Sequence, residues 1–91
     1  RIFVSNNGSL GTIRLFQEKS YPGRIIATDL PNPDFAQIAE AYGAKGLKIE
    51  DDGDIQPVVA EALASDGPVL IEVRTSLEYI AAYVTMTDLR S

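Results

Sequence analysis

Phe3-Val4-Ser5-Asn6-Asn7-Gly8-Ser9-Leu10-Gly11-Thr12 is the stretch from which the rest of the chain is read. A short apolar run gives way to two asparagines, two glycines and two hydroxyl residues, and a helical pattern follows, so the order is strand, loop, helix. Glycines in such a loop accept positive φ angles and let successive N–H groups face one concavity, to which the helix start adds unpaired donors and partial positive charge. The asparagines add neutral carbonyl oxygens, so phosphate with a hard divalent cation such as Mg²⁺ is the ligand these groups match best. The same composition also serves a plain turn.

Outward from this loop, Ile2 to Ser5 reads as a short buried strand and Leu10 to Lys19 as a helix with Leu10, Ile13 and Phe16 or Gln17 on one face. Ser20 to Pro33, with two prolines and Gly23, reads as a long irregular connection. Asn32-Pro33-Asp34 is a helix start, with Asn32 as cap and an acid in the first turn. Phe35, Ile38, Ala39 and Tyr42 then form a stripe facing the core, and Gly43 ends the helix. Leu47 to Ile49 alternates as an edge strand. The acidic run Glu50 to Asp54 reads as a helix cap, Asp54 before Asp52, ahead of a helix carrying Ile55, Val58, Val59, Ala62 and Leu63. Ser65 to Pro68 is a turn, and Val69-Leu70-Ile71-Glu72-Val73 is a strand covered on both faces. Residues 75–91 are expected to form a surface tail with at most one helical turn.

Strands separated by helical segments predict an α/β fold with a parallel sheet. Ligands of such sheets sit beyond the carboxyl ends of the strands, where the Asn6-Asn7-Gly8 loop begins. With 91 residues the chain makes one domain at most, and its net charge of -5, with eight scattered Lys and Arg, offers no basic stripe for nucleic acid and no membrane patch. The absence of cysteine and histidine removes disulfides, thiolate sites and imidazole triads from residues 1–91. No apolar run approaches membrane-spanning length, so a soluble cytoplasmic protein is the default expectation. The opening on Arg1, at once followed by a strand, is expected of a piece of a longer chain.

Asn6-Asn7-Gly8-Ser9-Leu10-Gly11-Thr12-Ile13-Arg14, followed by Tyr21-Pro22-Gly23-Arg24, Asn32-Pro33-Asp34-Phe35, Ala41-Tyr42-Gly43 and Gly67 to Val73, resembles the C-terminal pyrophosphate-binding domain of thiamine diphosphate-dependent enzymes, in the branch of acetolactate synthase and benzoylformate decarboxylase. The resemblance implies a partial doubly wound parallel sheet of three strands with crossover helices, a fragment of a larger Rossmann-like domain. The motif's opening half, an upstream Gly-Asp-Gly whose Asp also holds Mg²⁺, lies outside residues 1–91. By position Asn7 would ligate Mg²⁺ through its side chain and Ser9 through its backbone carbonyl, while Asn6 braces the loop. Gly8, Ser9, Leu10, Gly11 and Thr12 would contact the diphosphate, and Ile13 would face the substrate pocket. The implied activity is that of a lyase or transferase on a small 2-oxo acid, by decarboxylation or carboligation, in a homodimer or homotetramer. The cofactor carries that chemistry and the protein positions it.

The glutamate that activates the cofactor comes, in that family, from a partner subunit. Glu18, Glu40, Glu50, Glu61, Glu72 and Glu78 are therefore read as solvated positions, Glu72 on a partly exposed strand face. A non-catalytic α/β binding or interaction module is the competing reading.

Overall fold

The computed structural model describes all of residues 1–91. In chain order the elements are β1 (Ile2–Asn6), α1 (Gly11–Ser20), α2 (Phe35–Ala41), β2 (Lys45–Ile49), a 3-10 turn (Asp52–Asp54), α3 (Ile55–Ala64), β3 (Val69–Arg74) and α4 (Met86–Arg90). The expected alternation of strands and helices is present. The chain divides into two units, Arg1–Asn6 with Asn32–Thr75, and Asn7–Pro31 with Ser76–Ser91.

The first unit holds a three-stranded parallel sheet in the order β1-β3-β2. The most apolar run is the central strand, as its composition requires: Phe3 stands opposite Ile71 and Ile71 opposite Leu47. Ile49, Ala62, Val69 and Ile71 make the buried core, with Leu47, Val58, Val59 and Val73 packed against it. β2 is an edge strand, as its alternation indicated, and β1 is the other edge. Helix α3 buries Ala62 and half-buries Val58 and Val59, while Ile55 and Leu63 of the same expected stripe stay exposed. Arg1 reaches the end of α3, where its Nε donates to the carbonyl of Ala62 at 3.0 Å and its Nη2 to that of Leu63 at 2.8 Å. A cation on the last carbonyls of a helix answers both their unpaired lone pairs and the helix dipole.

Helix α2 turns a different face to the sheet than its large apolar residues suggested. Ala36 and Ala39 are buried, whereas Ile38 is 40% and Tyr42 88% exposed. The cause lies across the contact, at Gly46 of β2, where a Cβ would collide with the backbone carbonyl of Ala36. Backbone meets backbone there, and only small residues fit. The helix cap also moves: Asp34, not Asn32, is the cap residue and accepts from the N–H of Gln37 at 3.0 Å. The Asp34 carboxylate is also paired with Lys48, and that partner, before the Gln37 amide, holds its pKa below the usual range. In the acidic run, Asp51 accepts from the N–H of Gly53 at 3.0 Å, and Asp54 accepts from that of Glu50 at 3.1 Å. These acids cap the 3-10 turn, and Asp54 makes no side-chain cap on α3.

The second unit contains α1 and α4. Leu10, Ile13 and Phe16, read as one face of α1, are 39, 52 and 61% exposed, and the buried positions of α1 are Leu15 and Glu18. Glu18 is a correction to the sequence reading, being fully buried rather than solvated. Its carboxylate accepts from Arg90 Nη2 of α4 at 2.5 Å and from the N–H of Gly23 at 2.9 Å. An ionised carboxylate can be buried where each oxygen has such donors. Residues 76–91 carry α4, which is capped by Thr85 with a return bond from Asp88 and buries Met86.

Candidate functional site

The second unit gathers the Asn-Gly loop and the first turn of α1. Asn7 Oδ1 accepts from the N–H of Ser9 at 3.0 Å, a side-chain-closed turn that places Gly8 at φ +67°. The loop is backed by residues 28–30. Ser9 Oγ donates to the carbonyl of Thr28 at 2.7 Å, the N–H of Leu10 donates to that same carbonyl at 2.8 Å, and the N–H of Leu30 donates to the carbonyl of Gly8 at 2.9 Å. Ser9 is thereby buried, and so is Thr28. The backing segment bends at Ala27, whose φ of +58° is otherwise a glycine conformation.

Helix α1 starts without a side-chain cap. Leu10 occupies the cap position and can supply no oxygen, and the first turn has no acid. Its leading N–H groups are therefore not answered by any side chain of the helix itself, and they border an open depression of about 280 Å³ lined by Ser9, Leu10, Gly11, Thr12 and Ile13. Gly11 lies close under the loop: a Cβ on it would stand 2.8 Å from Nδ2 at the free end of the Asn7 side chain, which would have to shift. Positive charge lies one turn further on, in Arg14, which meets Asp29 at 3.4 Å. Two buried polar atoms here lack a partner, Arg14 Nε and Thr28 Oγ1.

Residues Asn7 to Ile13, singled out from sequence, are thus consecutive parts of one turn and one helix start. Asn6 belongs to the first unit and to another set of bonds. Its Nδ2 donates to Glu72 Oε2 at 3.3 Å and its Oδ1 accepts from Asn32 Nδ2 at 2.8 Å. Glu72, read as partly exposed, is 8% exposed and also accepts the N–H of Phe35 at the start of α2 at 2.8 Å. The sequence signal for it was a carboxylate inside an apolar strand. Nothing local flags Thr28, and the sequence marks Asn32 only as a helix cap.

A parallel sheet with crossover helices, and a glycine turn leading from the end of a strand into an uncapped helix start, define the class as an α/β domain of the kind whose helix starts can receive anionic groups. The chain belongs to one family of that class. Residues 1–73 match the model of the thiamine pyrophosphate enzyme C-terminal TPP-binding domain. Over 77 residues the chain is 40% identical to an acetolactate synthase of Mycobacterium avium, a match that covers 78% of this chain and 12% of that protein. It is 36% identical over 73 residues to the mitochondrial acetolactate synthase catalytic subunit of Saccharomyces cerevisiae, covering 80% of the chain and 11% of the relative. A putative thiamine pyrophosphate-containing protein of Bacillus subtilis is 40% identical over 73 residues, or 79% of the chain and 12% of the relative. The chain therefore spans only about an eighth of the length of these relatives. No helix of the structure is long and apolar enough to cross a membrane.

Proposed function

We propose that residues 1–91 form the diphosphate-anchoring part of a thiamine diphosphate- and Mg²⁺-dependent enzyme that acts on a small 2-oxo acid, as a decarboxylase or carboligase working as an oligomer. The observation that supports this most is the family match over a segment whose loop closes on itself through Asn7 and whose following helix carries no cap of its own. The donor set fits the group. Asn7 Oδ1 keeps a second lone pair beyond its bond to Ser9 and, with the carbonyl of Ser9, offers neutral oxygens to a hard cation. The first N–H groups of α1, at Gly11 and Thr12, suit phosphate oxygens, and Gly8 and Leu10 shape the approach. Ile13, half exposed beside them, gives an apolar wall to a small substrate. The bound cofactor supplies the electron sink for cleaving the bond beside the substrate carbonyl.

The test is Asn7→Ala in the full-length protein that carries this segment, with thiamine diphosphate binding followed by calorimetry across a Mg²⁺ titration. Asn7→Ala is expected to raise the Mg²⁺ needed for half-maximal binding about 10-fold or more. Unchanged affinity and Mg²⁺ requirement would remove Asn7 from the metal site.

A further inference from the structure

We infer that Glu72 is a positioning residue for the metal loop, acting through Asn6. Glu72 sits on the central strand, opposite Val4 in the middle of β1 and Lys48 of β2, toward the carboxyl ends of β2 and β3. Both of its oxygens are engaged. Oε2 receives the amide of Asn6, the last residue of β1, and Oε1 receives the backbone N–H of Phe35 at the start of α2. The second polar atom of Asn6 is engaged by Asn32, from the segment leading into α2. The Asn6 side chain is thus held from two directions, by an acceptor on β3 and a donor before α2, which fixes both its rotamer and which atom is oxygen.

A buried carboxylate in an apolar strand is costly to keep, and here its donors are an amide and a main-chain N–H, with the Lys48 charge nearby on β2. A hydrophobic residue would pack a central strand at no such cost. The distinctive result of a carboxylate is that it clamps the end of β1, and Asn6 is peptide-bonded to Asn7, the proposed ligand. Its role would parallel the outer partners that orient ligands in other metal sites. The inference rests on the reading of Asn7 as a Mg²⁺ ligand.

Glu72→Gln tests it in the full-length protein. Glutamine keeps the shape but turns an NH2 group toward one of two donors, so one bond must break. Thiamine diphosphate binding is measured by calorimetry against Mg²⁺, well below the melting temperature, beside Asn7→Ala, Asn32→Ala and the packing control Ile71→Val. Glu72→Gln is expected to raise the half-saturating Mg²⁺ concentration about 10-fold. Asn32→Ala, which leaves the carboxylate paired, is expected to raise it less, and Ile71→Val is expected to lower only the melting temperature. Should Glu72→Gln fail to fold, the milder Asn32→Ala decides the matter by the same readout. An unmoved Mg²⁺ requirement in the folded variants, with Asn7→Ala impaired, overturns the positioning role and leaves the metal assignment standing. If Asn7→Ala is also unimpaired, the metal assignment falls and the role of Glu72 falls with it.

Discussion

Gly11 shows how one missing side chain shapes this loop. Its neighbour across the turn is the end of the Asn7 side chain, 2.8 Å from where a Cβ would stand. That side chain can shift away, at the expense of the hydrogen bond that its Oδ1 accepts from the Ser9 N–H. Gly11→Ala therefore trades loop geometry for helix propensity, since Gly11 is the first residue of α1 and alanine favours helix. The expected outcome is a stability within about 0.5 kcal/mol of the parent, together with a Mg²⁺ requirement raised about 10-fold. Chemical denaturation and calorimetry of the full-length protein check the two halves. A variant that keeps the parent's Mg²⁺ requirement would show that the Asn7 rotamer does not matter to binding.

At the scale of elements, α1 and α4 are joined by a buried pair rather than by an apolar seam. The Arg90 guanidinium, ahead of the Gly23 amide, holds the Glu18 carboxyl below the usual range. A carboxyl with a lower pKa folded than unfolded stabilises the fold fully above its unfolded value, about 4.3 for glutamate, and that contribution disappears as pH falls through the folded value. Amide hydrogen exchange should therefore show protection of residues 86–90 declining only below the ordinary carboxylate range. Glu78, held down by the hydroxyl and then the amide of Thr87, titrates in the same direction. Glu18→Gln separates the two: it is expected to weaken α4 protection at neutral pH and to flatten part of the acid loss. An identical pH profile in Glu18→Gln would assign the loss to Glu78 and its neighbours instead.

For the molecule as a whole, the sheet ends on β1, where Ile2 and Phe3 are 58 and 57% exposed beside an unpaired strand edge. Apolar side chains on an open edge are a template for pairing with another strand. The 91-residue polypeptide studied alone is expected to self-associate with rising concentration, measured by light scattering. Phe3→Lys, which puts a charge on that edge, is expected to reduce the association. A stable monomer across the concentration range would instead favour the interaction-module reading.

The amino-acid sequence by itself determined the order and type of the elements, the two-faced cover of Val69 to Val73, the end of α2 before Gly43 and the continuity of the loop from Asn7 to Ile13. These follow from local causes: turn residues, helical spacing, and the need of an apolar run for cover on two sides. Tertiary structure alone decided which faces are buried. Leu15 and Glu18 turn inward on α1 because Arg90, 72 residues away, meets the carboxylate. Ala36 does so on α2, in place of Ile38 and Tyr42, because Gly46 lets the backbones touch. Glu72 is buried because Asn6, 66 residues before it, and Phe35 supply donors. Periodicity weighs each side chain by its own polarity, whereas the cost of burying a charge depends on partners that only the folded chain brings near.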